Sequence, residues 1–206
     1  YGGDSSTRIM QEILLGIGGV RVLRALGIQP SVFHMNEGHS AFLTLELIRE
    51  KMAEGKKFSE AMEATKAECV FTTHTPVEAG HDRFGQDLVT YMLGKMQKQL
   101  RVPVADFMAL GRVHPTNFSE PFCMTVLALK ASRSANAVSE LHGQVSRKMW
   151  HCLYPEGSED QVPIGHITNG VHVLGWMKGR NRHFWMDKLG EHWESEVNSE
   201  GFWAKL

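Results

Sequence analysis

The sequence predicts an α/β fold, a Rossmann-like, mostly parallel sheet flanked by helices. Short runs rich in β-branched and aromatic residues alternate with longer amphipathic ones, the pattern of βαβ units joined by right-handed crossovers. Turn-forming residues bound each short run. Polar side chains able to bind a ligand follow the short runs directly, where an open parallel sheet places its crevice.

The elements follow in order. Residues 5–26 read as a helix: Ser5, Ser6 and Thr7 are cap candidates, Ile9, Ile13, Leu14, Ile17, Val20 and Leu23 recur at three- and four-residue steps, and Gly27 ends the run. Ser31–Met35 is a short run between breakers and reads as a buried strand. A second amphipathic helix covers Ser40–Ala53, with Phe42, Leu43, Leu47 and Ile48 on one face. A shorter helix runs from Ser59 to Glu68. Cys69–Thr73 is the next strand. Helices are expected at Phe84–Leu100, Phe122–Ala131 and Leu141–Leu153, and strands at Ala135–Val138 and Pro163–Ile167. A polar linker precedes the last strand, and the tail from Lys178 mixes aromatics and charges at helical spacing. Neither an internal repeat nor a low-complexity tract is present.

Composition narrows the function. With 22 Lys+Arg against 23 Asp+Glu in 206 residues, the chain has no basic stripe for nucleic acid or an anionic membrane. No apolar run approaches the ~18–20 residues of a membrane span. Three separated cysteines, Cys69, Cys123 and Cys152, make no disulfide framework and point to a reducing, cytoplasmic compartment. The abrupt opening at Tyr1-Gly2-Gly3-Asp4 reads as a piece cut from something longer.

The strand ends carry the chemistry. Asn36, Glu37 and His39 follow the first strand and His74 the second; Asn136 and Ser139 surround the third, and Asn169 follows the fourth. Carboxamides, imidazoles and one carboxylate suit a neutral, hydroxyl-rich ligand such as a sugar, whose hydroxyls both donate and accept. Other readings compete. Gly16-Ile17-Gly18-Gly19 resembles part of a nucleotide loop, yet it sits in a helical pattern with no strand before it, which favours close helix packing. His34 with His39, or His81 with Asp82, are conceivable metal ligands, without the paired spacing of a known metal motif. No G-x-S-x-G elbow and no pair of glycosidase carboxylates is present. Glu37 alone also fits a helix-start carboxylate. The spacing of Trp176, Trp185, Trp193 and Trp203 favours a packed face over a sugar-stacking surface.

Five segments together resemble the α-glucan (glycogen, starch and maltodextrin) phosphorylases, in particular their bacterial and archaeal branch. They are Tyr1-Gly2-Gly3-Asp4 with Arg8-Ile9 and Gln11-Glu12; His34-Met35-Asn36-Glu37-Gly38-His39; Thr72-Thr73-His74-Thr75-Pro76-Val77 with Ala79-Gly80-His81-Asp82; Asn136-Ala137-Val138-Ser139 with Leu141-His142; and Pro163-Ile164 with Thr168-Asn169-Gly170-Val171-His172. They keep the family's order over residues 1 to about 176. The resemblance implies a GT-B glycosyltransferase, of which residues 1–176 would be the latter part of the N-terminal lobe and 177–206 a helical segment near the interlobe crossover. It implies transfer of a glucosyl unit from an α-1,4-glucan to inorganic phosphate, with retention, giving glucose 1-phosphate.

The same resemblance assigns roles. His74 and Asn169 would be catalytic, both at the 6-hydroxyl of the reacting glucosyl unit, with the His74 carbonyl near the developing charge. Asp4 would begin the loop shaping the glucan entrance, Glu37 and His39 would line the wall, and His39 would orient its neighbours. Pyridoxal 5′-phosphate is implied for the full-length enzyme only, because its lysine belongs to a C-terminal lobe that nothing here matches. Leu174-Gly175-Trp176 stands where many relatives carry Pro-Thr-Trp. The expected partners are maltodextrin, phosphate and that second lobe, and the segment alone would be inactive. A non-catalytic glucan-binding module and a metal-dependent hydrolase using His81-Asp82 remain the alternatives.

Overall fold

The computed structural model describes residues 3–197, 199 and 201–205; Tyr1 and Gly2 of the opening motif and the terminal Leu206 lie outside them. The chain divides into two units, Tyr1–Thr168 and Asn169–Leu206.

In the first unit, strands β1 (Phe33–Asn36), β2 (Cys69–Thr73), β3 (Arg83–Phe84), β4 (Phe122–Cys123), β5 (Ser134–Ala137) and β6 (Ile164–His166) form two sheets. Four of them make the expected parallel sheet, in the order β1-β2-β5-β6, while β3 and β4 pair antiparallel. Because the strand order runs one way, right-handed crossovers put every connection on the same face. Burial follows that rule. Phe33, Met35, Cys69, Phe71, Ala137 and Ile164 are buried, whereas His34, Asn36, Ser134 and Gly165 on the opposite face are exposed.

Helices α1 (Ser5–Ile13), α2 (Gly19–Ala25), α3 (Leu43–Ala53), α4 (Phe58–Glu68), α5 (Gln86–Gln99), α6 (Val104–Ala109), α7 (Met124–Lys130) and α8 (Glu140–Trp150) complete this unit. α4 and α7 pack on β2, and α8 on β5 and β6. Glu46 on α3 is 1% exposed and tolerates burial because Arg21 of α2 grips it bidentately at 3.0 and 2.9 Å and Arg49 adds a bond at 2.8 Å.

The sequence-based elements hold in the main, with corrections: Phe84 pairs in β3 ahead of α5 instead of opening a helix, and Gly38–Ser40 is a 3-10 turn ahead of α3. The first helix is interrupted by a π-helical stretch, Leu14–Gly18, and its cap is Asp4, whose Oδ1 accepts from the Thr7 N–H at 2.8 Å. Asp4 wins over Ser5, Ser6 and Thr7 because it is the residue with extended backbone, at φ −76° and ψ 175°. Phe122 and Cys123 open α7 as the strand β4 instead of as helix. Residues 101–121, given no element above, contain α6 and a fold around Arg112, fully buried and donating to the carbonyls of Glu120 (2.7 Å) and Phe118 (3.2 Å).

The second unit holds α9 (Val173–Trp176), α10 (Gly179–Leu189) and α11 (Trp193–Glu196). Trp185 packs toward Trp193 with centroids 6.5 Å apart, and Trp193 is buried. Trp176, in contrast, is 85% exposed, so the packed-face reading does not extend to it; the side chain of Trp203 lies outside the description.

The glycine-rich stretch serves packing. A Cβ on Gly16 would lie 2.7 Å from the Leu43 nitrogen, 2.9 Å from the Ser40 oxygen and 3.0 Å from the Phe42 carbonyl carbon, all backbone atoms that cannot swing away. Gly19, the first residue of α2, has nothing within 4 Å of such an atom. Gly16→Ala is therefore expected to destabilise the chain by about 1–3 kcal/mol, and Gly19→Ala to stabilise it by about 0.5–1 kcal/mol. Thermal unfolding of the two variants, side by side, checks the contrast.

Candidate functional site

The in-register pairing of β1 with β2 sets Asn36 opposite Thr72, and the Glu37 N–H continues the ladder by donating to the Thr72 carbonyl at 2.8 Å. The two strands therefore end side by side. Glu37 then turns out of extended geometry at φ 67° and ψ 172°, a region that favours glycine, at a cost on the order of 1–3 kcal/mol. What holds it there is its carboxylate. Oε2 accepts from the His74 N–H at 2.8 Å and from the Thr75 hydroxyl at 2.7 Å, while Oε1 accepts from the Gly38 N–H at 3.3 Å. Glu37 is only 7% exposed. The His74 side chain, by contrast, is exposed, as is that of Asn36.

Behind this loop lies a cluster of charges. Arg8 of α1 donates to Asp82 bidentately, Nε to Oδ1 at 3.1 Å and Nη2 to Oδ2 at 2.7 Å. His39 Nδ1 lies 3.3 Å from Asp82 Oδ2, 3.6 Å from Glu12 Oε1 and 3.2 Å from Arg8 Nη2. Glu12, one turn along α1 from Arg8, is fully buried, its Oε1 3.7 Å from the Arg8 Nε. Burial pushes the Glu12 carboxyl from 4.5 up to about 7, and the hydrogen bond from His39 only partly opposes it. Asp82 and then Glu12 hold the His39 imidazolium, raising it from 6.5 to about 9. Burial acts to raise Asp82 too, but hydrogen bonds from His39 and Arg8 outweigh it and keep that carboxyl well below its ordinary value.

Ligand-type atoms of Glu12, His39 and Asp82 lie within 4.8 Å of one another. Arg8 stands among them, so the balancing positive charge is supplied by the guanidinium and the imidazolium. The His81-Asp82 pair considered for a metal is separated by its partners: His81 Nδ1 lies 2.8 Å from the Thr125 hydroxyl, and its ring meets Trp150 edge-on at 4.9 Å. His81 is buried, and burial lowers its pKa. His34 is likewise apart from His39, its Nε2 2.7 Å from Thr72 Oγ1, which in turn donates to Asn136 Oδ1 at 2.9 Å. This polar chain crosses three strands on the exposed side of the sheet. Ser139 caps α8, its Oγ accepting from the His142 N–H at 3.1 Å.

Glu37, His39 and His74 are thus gathered at the ends of β1 and β2. Asp4 caps α1 four residues before Arg8, and the Thr7 N–H holds its carboxyl below the ordinary 3.8. Asn169 is exposed and belongs to the second unit. Sequence reading assigned no role to Arg8, Glu12 or Thr75 in building this site, and weighed Asp82 only as a metal ligand with His81. Arg8 and Asp82 are 74 residues apart, and no local pattern announces such a pair.

The chain is 41% identical over 203 residues to a maltodextrin phosphorylase of Thermococcus litoralis, covering 98% of the chain and 24% of that protein. The chain is homologous to one segment of the glycogen and maltodextrin phosphorylases. A glycogen phosphorylase of Mycobacterium tuberculosis is 43% identical over 189 residues, 85% of the chain and 21% of that protein. One from Aquifex aeolicus is 31% identical over 206 residues, 100% of the chain and 29% of that protein. The segment therefore spans between a fifth and a third of the length of these phosphorylases. No protein-family model matches it. Among the described residues, no helix is long and apolar enough to cross a membrane.

The charge cluster gives stability a defined pH dependence. His39 binds its proton more tightly when folded, so its contribution is complete below pH 6.5 and is lost as pH rises through about 9. Glu12 also holds its proton more tightly when folded, so stability falls as pH rises from 4.5 through about 7. The two slopes share a sign. Urea unfolding at constant ionic strength is expected to show stability declining from pH 7 to 9, and His39→Gln is expected to flatten that decline. An unchanged slope in the variant would contradict the assignment.

Proposed function

We propose that this segment is part of the N-terminal lobe of a GT-B α-glucan phosphorylase. The parent enzyme transfers a glucosyl unit from the end of an α-1,4-glucan to inorganic phosphate, with retention, and releases glucose 1-phosphate. The observation that carries the reading is the polar row at the parallel strand ends, with the His74 turn held by Glu37, in a chain related to glucan phosphorylases. Residues 1–176 belong to the partial lobe and 177–206 to a helical segment near the crossover to a second lobe.

His74 and Asn169 contact the 6-hydroxyl of the reacting unit, Asp4 stands at the glucan entrance, and His39 and Glu37 form the wall beside His74. An oxocarbenium-like transition state places positive charge on the sugar ring, and a fixed carbonyl dipole such as that of His74 stabilises it without reorganising. The chain's own residues do not fit pyridoxal phosphate. The segments after β1 and β2, Asn36–Ser40 and His74–Pro76, hold no lysine or arginine, and the nearby Arg8 is engaged by Asp82. The cofactor, which would supply proton transfer through its phosphate, is assigned to the C-terminal lobe of the parent, and the segment alone is inactive. Its partners are α-1,4-glucan, phosphate and that lobe. Neither nucleic acid nor membrane is a partner, and the parent is cytoplasmic.

The test uses the full-length protein that contains this segment, assayed for phosphate-dependent release of glucose 1-phosphate from maltodextrin. Wild type is expected to release it and His74→Ala to lose activity by on the order of 100-fold or more, with unchanged unfolding temperature. Maltodextrin binding without any product would instead indicate a glucan-binding module.

A further inference from the structure

We infer that Glu37 acts through His74: it is a positioning residue that fixes the His74 carbonyl, and it makes no contact of its own with the glucan. The inference rests on the phosphorylase reading above and deepens it. One carboxylate oxygen, Oε2, holds the chain at two points, the N–H of His74 and the hydroxyl of Thr75. The carbonyl of His74 belongs to the peptide between those points, so its direction is bracketed on both sides. The other oxygen, Oε1, accepts from Gly38. With three protein donors on its two oxygens and 7% exposure, the carboxylate has little left to offer a sugar hydroxyl.

The backbone of Glu37 gives the second, independent line. A residue at φ 67° with a side chain other than glycine is kept only where its surroundings over-determine it. Glycine would suit the backbone better, so the side chain must supply what glycine lacks. The only strong bonds that side chain makes, among the described residues, run to Gly38 next door and to the His74–Thr75 turn. Gly38 itself is tightly seated: a Cβ there would lie 3.2 Å from the Met124 Cβ and from the Thr125 nitrogen. The anchor end of the grip is thus fixed against α7, and the free end is the loop that carries His74. A strained, anchored carboxylate reaching across to a catalytic loop is a device for aiming that loop.

The grip also explains why the imidazole of His74 is exposed while its backbone is immobilised. Side chain and carbonyl are then oriented by different means: the carbonyl by Glu37, the imidazole by the ligand it meets. Loss of Glu37 should consequently impair the chemical step more than glucan binding.

The test compares Glu37→Gly and Glu37→Gln with wild type in the full-length protein. Three readouts are taken: hydrogen–deuterium exchange of a peptide spanning residues 72–76, kcat and KM for maltodextrin phosphorolysis, and the unfolding temperature. Glu37→Gly keeps the backbone geometry and removes the grip. It is expected to fold, to exchange the His74 and Thr75 amides at least about tenfold faster, and to lose kcat by about 10- to 100-fold with KM within threefold. Glu37→Gln retains one acceptor oxygen and is expected to fall between the two. A raised KM with kcat preserved would overturn the inference in favour of direct glucan contact. Unchanged exchange and unchanged kcat in Glu37→Gly would overturn it as well. If wild type itself makes no glucose 1-phosphate, the phosphorylase reading fails and the inference falls with it, an outcome visible before any variant is measured.

Discussion

The register of one strand pair governs this site. Phe33 pairs with Cys69 and Asn36 with Thr72, and the ladder runs one step further to Glu37. A parallel pair shifted by one residue would send every side chain to the opposite face. Were β1 the strand that shifted, Phe33 and Met35 would leave the core, and the carboxylate of Glu37 would no longer meet the His74 turn. Core and site are therefore set by the same choice. The hydrophobic face that fixes the register is also what fixes the distance from one loop to the next.

A second layer of order comes from charge. Arg8 and Glu12 sit on one face of α1, one turn apart, and reach His39 after β1 and Asp82 after β2. Ion pairs of this kind are costly to desolvate, and Glu12 shows the cost in its elevated pKa. Their contribution is one of place: they dock the first helix on two strand-end loops at once. Replacing one member would leave the charges of its half-buried neighbours unbalanced around the buried Glu12, so substitutions among the four are expected not to add.

Much of this was legible in the sequence. Cys69–Thr73 is apolar, β-branched and bounded by polar residues, and it is the strand the structure shows. The row Asn36, Glu37, His39, His74 was legible from position alone, because parallel strands deliver their ends to one edge. What escaped was whatever depends on distance along the chain or on backbone angle. Nothing in the local pattern marks Arg112, yet it is fully buried because the carbonyls of Phe118 and Glu120 turn back to meet it. Asp4, not the serines after it, caps α1 because the chain direction, set outside the local pattern, makes it the extended residue. Glu37 read equally as a helix-start carboxylate or a ligand, since no sequence pattern reveals a positive φ.

The one-way strand order has a further consequence. Right-handed crossovers cover one face of the sheet and leave the other, bearing His34, Asn36 and Ser134, open to solvent. That face is not simply bare apolar surface. His34, Thr72 and Asn136 bond to one another across it, at 2.7 and 2.9 Å. Parallel sheets in α/β proteins are covered on both faces, and a polar network covered by further chain would need its hydrogen bonds satisfied internally. Thr72 and Asn136 meet that condition: Thr72 Oγ1 meets the His34 ring and donates to Asn136, whose Nδ2 donates to the Ala137 carbonyl at 3.2 Å. Burial of the open face would therefore leave the Thr72 and Asn136 side chains satisfied.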